Sequence, residues 1–185
     1  VKDKGKAFIE RLNNLDADEI IFIHDECYSM IKKSREEFGY EVRFKPTHIL
    51  EHMSNYLKEN ASKVTKLNKK IGYQRPCSSR VSPETDDLLD EFFELIGVER
   101  VSRKYDRKNA LCCGGILKSF GQVERGNESQ ATNLDDAMKH GAEAMVFLCP
   151  MCGLALSGIC KIKGIRSFFV VDLFRMALGE IQYPG

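Results

Sequence analysis

Two adjacent cysteines followed by two glycines, Cys112-Cys113-Gly114-Gly115, constrain this chain more than any other stretch. Cysteines that serve only as small buried side chains have no reason to be adjacent and to precede two glycines. Thiolates are ligands for zinc and for iron–sulfur clusters, and a glycine lets the backbone approach such a group closely or adopt a positive φ. The stretch therefore predicts a metal centre.

Three further cysteines extend the pattern on both sides. Cys77 precedes Cys112 with 34 residues between them, and Cys149-Pro150-Met151-Cys152 follows Cys113 after 35 residues. Five of the seven cysteines thus belong to one pattern, and we expect Cys160 to be a small buried side chain. Ligands from three separate loops that meet at one point are typical of a fold that surrounds a cluster.

This pattern resembles that of a known family. Cys77, Cys112-Cys113-Gly114 and Cys149-Pro150-Met151-Cys152 are similar to the cysteine-rich CCG domain of the catalytic subunit of heterodisulfide reductase. Related domains occur in iron–sulfur subunits of glycolate oxidase, in lactate-utilisation proteins and in an archaeal succinate dehydrogenase. The resemblance spans about residues 70–180, and its cysteine spacing is specific to the domain but leaves the substrate open.

The resemblance implies a non-cubane [4Fe–4S] cluster that binds and reductively splits a disulfide. Its ligands would be Cys77, Cys112, Cys113, Cys149 and Cys152. The partners that it implies are flavin and ferredoxin-like iron–sulfur subunits of an oxidoreductase complex, with a small disulfide or an organic acid as substrate. The family typically carries two such domains in tandem, so the chain resembles the tail of a first domain followed by the whole of a second.

Composition excludes several classes of protein. A hydrophobic content of 43% in 185 residues suits a globular core, and a net charge of +1 argues against nucleic-acid binding. The longest apolar runs are strand-sized, which predicts no membrane span. Cysteine is too sparse for a disulfide-stapled secreted domain, so we expect a cytoplasmic protein with reduced thiols. The start at Val1 leaves open whether the chain is a fragment.

Apolar runs that alternate with helical patterns predict an α/β fold, with two related lobes of parallel-type sheets flanked by helices. Glu19–Ile23 and Ala144–Leu148 are the most apolar runs and predict strands covered on both faces. We divide the chain into a partial CCG-like lobe (residues 1–60, the first lobe), a connecting segment (61–70) and a complete CCG domain (71–185, the second lobe).

Two stretches carry more local expectations. Glu41–Phe44 predicts a short strand that Pro46 ends, with Thr47 as the N-cap of a helix at Ile49–Lys58. Residues 121–130 are rich in Gly, Glu, Asn and Ser and predict a mobile loop beside the site. Thr132 or Asn133 would then cap a helix over residues 134–140.

An internal repeat with pseudo-twofold character is also predicted. Setting Ile20–Cys27 against Met145–Cys152, an offset of 125 residues, aligns one apolar strand with another and Cys27 with Cys152. His24 then stands where the second lobe has Cys149. His24 and Cys27 would form half of a second, weak metal site, or a surface turn with polar residues.

Three functions follow from the cysteines. The first is an iron–sulfur subunit, and the second is a closed zinc site that holds the lobes together. The third is a thioredoxin-like dithiol at Cys149 and Cys152, which leaves the other three cysteines unexplained. The basic residues before Cys112, Arg100 and Arg103 among them, form a solvated face or an anion-binding rim.

Overall fold

The computed structural model describes residues 2–184, and this part of the chain forms eight α-helices and six β-strands. The strands are β1 (Glu19–Phe22), β2 (Lys45–His48), β3 (Lys69–Gln74), β4 (Val98–Arg100), β5 (Ala144–Phe147) and β6 (Arg166–Phe169). The helices are α1 (Lys2–Asn13), α2 (Asp25–Phe38), α3 (Ile49–Glu59), α4 (Thr85–Ile96), α5 (Gly115–Ser119), α6 (Val123–Lys139), α7 (Pro150–Lys163) and α8 (Val170–Ala177). The strands pair in parallel in two sheets, which confirms the predicted α/β class.

The larger sheet has the strand order β4-β3-β5-β6 and carries helices on both faces. Successive residues of β5 point to opposite faces, as the geometry of a strand requires. Val146 packs in one apolar cluster with residues of α3, α4 and α8, whereas Met145 and Phe147 pack with residues of α6 and α7. The prediction of a strand covered on both faces is therefore confirmed for β5.

The smaller sheet, β1 with β2, contradicts the same prediction for Glu19–Ile23. Phe22 is buried with residues of α1 and α2, but the side chains of Ile21 and Ile23 are 39% and 58% exposed. The strand is apolar on both sides although only one side is covered, because helices pack on one face of this two-stranded sheet.

The strand predicted at Glu41–Phe44 lies later, at Lys45–His48, and includes Pro46. The backbone N–H of Lys45 donates to Asp18 O, so the nitrogen of the next residue faces the open edge of the sheet, where a proline costs no hydrogen bond. The N-cap of α3 is His48 rather than Thr47, and its Nδ1 accepts from the backbone N–H of Leu50 at 3.2 Å.

The predicted loop at residues 121–130 is wrong as well, because α6 begins at Val123 and continues through 17 residues. Its buried positions include Gly126, Gln130, Asn133 and Leu134, which recur at helical spacing. Asn133 is thus an interior residue of the helix and caps nothing. The helix packs beside α5 and α7, next to the predicted metal centre.

The order β1-α2-β2-α3 in the first lobe is the same as β5-α7-β6-α8 in the second lobe. The internal repeat itself stays a prediction, as do the limits of the lobes. The main apolar cluster contains Leu50, Met53 and Leu57 of α3 together with Phe92 and Phe93 of α4. One hydrophobic core therefore crosses the predicted connecting segment.

Candidate metal centre

Two of the cysteine-bearing segments leave neighbouring parallel strands at the same edge of the larger sheet. Gln74 at the end of β3 pairs with Phe147 at the end of β5. After β3 the chain enters a 3₁₀ turn at Cys77–Arg80, and after β5 Cys149 is the N-cap residue of α7. The carboxyl ends of parallel strands are where open α/β sheets place their ligands.

The segment with Cys112 and Cys113 approaches the same edge, and side chains of β3 and α6 hold it there. Ser129 Oγ donates to Cys112 O at 2.6 Å, and Gln130 Nε2 donates to Cys113 O at 3.1 Å. Gln74 Nε2 donates to the preceding carbonyl, Leu111 O, at 3.0 Å. Neither Ser129 nor Gln130 was a sequence candidate, although their positions in a helical run of small and amide residues could have indicated a buried helix face.

Gly114 has the property that the sequence assigned to it. Its φ is +80°, and a Cβ built on it would lie 2.5 Å from the carbonyl oxygen of Gly126. A side chain at this position would therefore meet both backbone strain and a backbone atom that cannot move cheaply. The turn also directs the N–H of Gly114 toward Cys112 Sγ, at 3.3 Å.

The five thiols interact in pairs that form a chain. Cys77 is within hydrogen-bonding reach of Cys112, Cys113 of both Cys112 and Cys152, and Cys152 of Cys149. The predicted ligand set is thus brought together by the fold without any metal.

These contacts determine the charge that the thiols carry. Hydrogen bonding from Cys152 lowers the pKa of Cys149 to about 5, with the Cys152 backbone N–H and His24 acting in the same direction against burial. Hydrogen bonding from Cys152 also lowers the pKa of Cys113 to about 6. The single S–H of Cys152 has the sulfurs of Cys113 and Cys149 as alternative acceptors, which raises the pKa of Cys152. Burial, and then the nearby charge of Cys112, raise the pKa of Cys77.

A cavity of about 600 Å³ lies against these thiols, and we name it the cysteine cavity. Four of the five cysteines line it: Cys77, Cys113, Cys149 and Cys152. Its other walls include exposed apolar side chains from both lobes, namely Met30, Val81, Ile116 and Met151. A concave site with apolar walls and a few reactive groups on one side suits a small molecule.

The donor set consists of thiols, which are ligands for iron–sulfur clusters and for zinc. Among residues 2–184 no group of three or more His, Cys, Asp or Glu side chains is arranged to hold one metal ion. A single zinc ion requires its thiolates around one point, with Zn–S bonds of about 2.3 Å. In a [4Fe–4S] cluster the thiolates are distributed over four iron atoms, so the ligands spread around a larger body. Thiols from three loops beside a cavity match that second requirement.

His24 and Cys27, the predicted half of a second site, have different surroundings. His24 Nε2 lies 3.5 Å from Cys149 Sγ, and the ring lines the cysteine cavity. Cys27 packs against the apolar cluster of the first lobe, which includes Phe22 and Ile31. A metal site with these two residues stays a prediction. Cys160 is fully buried, and burial raises its pKa to about 11, as expected of a small core residue.

Among the basic residues before Cys112, Lys104, Arg107 and Lys108 are exposed, as predicted for a solvated face, but two arginines are not. The side chains of Arg100 and Arg103 are 5% and 1% exposed. Arg100 pairs with Asp106 at 2.6 Å and with Asp86 at 3.4 Å. Arg103 donates to Asn133 Oδ1 at 2.7 Å and to Tyr73 O at 2.8 Å. These two buried residues therefore connect the segment before Cys112 to α4 and to α6 through ion pairs and hydrogen bonds.

The fold and the site define an α/β protein whose parallel sheet presents thiols from three loops at one edge. The family model of the cysteine-rich domain CCG matches residues 71–157, which contain all five cysteines of the pattern. Over this segment the chain is similar to the CCG cysteine-rich domain family.

Other comparisons add little. A solved structure of glutamate racemase from Campylobacter jejuni subsp. jejuni is similar at 10% identity and a TM-score of 0.37, over 99% of this chain and 83% of that chain. A likeness of this size carries no argument about fold or activity. A comparison with curated proteins gives no match. Within residues 2–184 none of the helices combines the length and the hydropathy that a bilayer crossing needs.

Proposed function

We propose that the protein is the iron–sulfur subunit of an oxidoreductase, similar to the catalytic subunit of heterodisulfide reductase. Its ligands are the five cysteines of the pattern, Cys77, Cys112, Cys113, Cys149 and Cys152, and its cofactor is a [4Fe–4S] cluster of the non-cubane type. The observation that carries the proposal is the convergence of these thiols, from three loops, beside one cavity. The similarity of residues 71–157 to the CCG cysteine-rich domain supports it, since such domains occur in iron–sulfur oxidoreductase subunits.

When bound, such a cluster supplies electron transfer and an iron atom that a substrate sulfur can approach. The chain itself supplies the surroundings. Hydrogen bonding lowers the pKa of Cys149 and of Cys113, which favours the thiolate form that binds metal. Gly114 brings the backbone close to its neighbours, and Gln130 fixes the carbonyl of Cys113. The apolar side chains around the cysteine cavity offer contacts to an apolar part of a small molecule.

The size of the cavity, about 600 Å³, points to a small substrate. We propose a low-molecular-weight disulfide, which accepts electrons at the cysteine cavity. An organic acid of the glycolate, lactate or succinate type is the alternative, with the protein as an electron-transfer subunit. In either case the partners are flavin and ferredoxin-like iron–sulfur subunits. We place the protein in the cytoplasm, in keeping with seven cysteines that are all free thiols.

Anaerobic purification followed by iron, sulfide and zinc analysis tests the proposal. We expect a brown protein with about four iron and four sulfide ions per chain. A colourless protein with one zinc ion would instead establish the closed zinc site. A protein that takes up neither metal but cycles between dithiol and disulfide at Cys149 and Cys152 would establish the thioredoxin-like alternative.

A further inference from the structure

Two consecutive residues of the first lobe, His24 and Asp25, reach the cysteine-bearing segments of the second lobe. His24 is the N-cap residue of α2, and its Nε2 lies 3.5 Å from Cys149 Sγ although 125 positions separate the two residues. His24 also lines the cysteine cavity. The imidazole is thus the group of the first lobe that meets a predicted ligand directly.

When Cys149 is a thiolate, its contact with His24 fixes which of the two ring nitrogens of His24 carries a proton. A thiolate has no proton to give and acts only as an acceptor, so Nε2 must donate. A metal-bound thiolate has the same restriction. Hydrogen bonds to ligand sulfurs are among the means by which a protein sets the potential of an iron–sulfur cluster. His24 is therefore placed to act on a cluster through Cys149.

Asp25 ties the first lobe to the turn that bears Cys77. Its carboxylate is 1% exposed and accepts from His48 Nε2 at 2.6 Å and from the hydroxyl of Ser79. His48 Nδ1 accepts from a backbone N–H, so the proton of that ring is on Nε2. Ser79 is 2% exposed and lies in the turn Cys77–Arg80. A buried carboxylate with two donors holds its partners firmly, because breaking either bond leaves a charge poorly solvated.

A second buried hydrogen bond supports the same junction. The hydroxyls of Ser29 in α2 and Ser82 beyond the turn lie 2.6 Å apart, and the two residues are 5% and 1% exposed. The turn with Cys77 is thus attached to α2 on both sides, by Ser79 and by Ser82.

We propose that the first lobe completes the cluster site of the second lobe instead of holding a metal of its own. His24 is the hydrogen-bond donor to the sulfur of Cys149, and Asp25 positions the turn of Cys77 through Ser79. The inference rests on the proposed iron–sulfur function for its effect on a cluster, but the two contacts belong to the protein without metal. Both residues are positioning residues, since each acts through a cysteine segment.

Histidine ring ¹⁵N–¹H correlation spectra of the metal-free protein test the first contact without any cluster. We expect the ring signals of His24 to shift in Cys149→Ser, because Nε2 lies 3.5 Å from Cys149 Sγ. The same signals should stay unchanged in Cys160→Ser, because Cys160 does not line the cysteine cavity that the ring of His24 lines. Ring signals that do not move in Cys149→Ser would overturn the contact.

The reconstituted protein tests the effect on a cluster. At equal iron content, we expect His24→Leu to shift the midpoint potential to a more negative value and to change the EPR spectrum, because the sulfur loses a donor. His24→Gln, which keeps an N–H donor, should restore most of the shift. His52→Leu is the matched control, since His52 is an exposed histidine of the same lobe.

Identical potentials in all the histidine variants would overturn the role of His24. Failure of the proposed function has a different signature, because the wild-type protein would then take up no iron while the ring spectra still reported the contact. The two failures are therefore distinguishable.

Amide hydrogen exchange of the metal-free protein tests the hold on the Cys77 turn. We expect Ser79→Ala to speed exchange several-fold at residues 77–81, and Ser79→Thr, which keeps the hydroxyl, to slow it again. Ser157→Ala is the control, because Ser157 Oγ donates to Gly153 O within α7. Unchanged exchange at the turn in Ser79→Ala would remove Asp25 from the proposal.

Discussion

Cys112 and Cys113 are adjacent, and an ordinary four-ligand cluster or a zinc ion leaves one of the five thiols without a metal bond. Replacing each cysteine by serine, one at a time, therefore shows how many of the five thiols bind the metal. We expect both Cys112→Ser and Cys113→Ser to lose the cluster or to alter its EPR spectrum after reconstitution without oxygen. Cys160→Ser is the control, because Cys160 packs in the core and should leave iron content unchanged. A wild-type spectrum from either variant of the pair would contradict the five-ligand proposal.

A second prediction at the scale of residues concerns the contribution of the buried Arg100 to stability. Arg100→Ala removes the arginine that pairs with Asp106 at 2.6 Å, while Asp86 keeps Arg75 at 2.8 Å, and an uncompensated buried charge typically costs about 3–5 kcal/mol. We expect the free energy of unfolding in urea to fall by that order. Arg175→Ala removes an ion pair with Glu180 in which both side chains are about half exposed, and should cost less than about 1 kcal/mol. Equal decreases in the free energy of unfolding for the two variants would show that the ion pairs of Arg100 do not stabilise the fold more than an exposed pair does.

Sequence reasoning at this scale predicted the cysteines and Gly114 because their chemistry is local. An adjacent pair of thiols or a glycine with positive φ is specified within a few residues. The burial of Arg100 is not local, since its partner Asp86 comes from α4 and charge runs are usually solvated. The contact of His24 with Cys149 also depends on how two distant segments meet, which no spacing reveals.

At the scale of elements, helices and strands were predictable where their apolar residues recur with the spacing of a helix or a strand. Gly39 and Gly97 end α2 and α4 in the left-handed conformation that glycine favours. The first half of α6 was missed because its buried positions are occupied by Gly126, Gln130 and Asn133. Their burial is satisfied by hydrogen bonds to neighbouring loops and strands, a benefit that hydropathy does not register.

Gln130 tests the function of α6 as the support of the Cys112–Cys113 segment. Its Nε2 donates to Cys113 O and to Ala155 O, and its Oε1 accepts from Lys118 Nζ. Gln130→Ala leaves two buried carbonyls without this donor, at a cost of about 1–3 kcal/mol. We expect a lower urea midpoint and less iron bound after reconstitution. Gln122→Ala, at an exposed position just before α6, should match the wild type in both measurements.

For the whole molecule, the question is whether the two lobes are separate folding units. The composition of residues 61–70 favours a linker, and the first lobe has a small apolar cluster of its own. However, α3 packs on α4, and its apolar side chains belong to the core of the second lobe. Such packing is invisible in a sequence, because an amphipathic helix shows that it has a buried face but not which lobe covers it.

Truncation of the chain tests this shared core. Leu50, Met53 and Leu57 are at most 2% exposed, and burying each such side chain stabilises a fold by about 1.5–3 kcal/mol. Their combined loss approaches the whole stability of a typical domain, about 5–15 kcal/mol. We therefore expect residues 61–185 alone to unfold without a cooperative transition, or to aggregate. Residues 49–185, which keep α3, should unfold cooperatively in urea when followed by circular dichroism. An equally sharp transition at the same midpoint in both fragments would place the folding boundary at residue 60, where the sequence pattern put it.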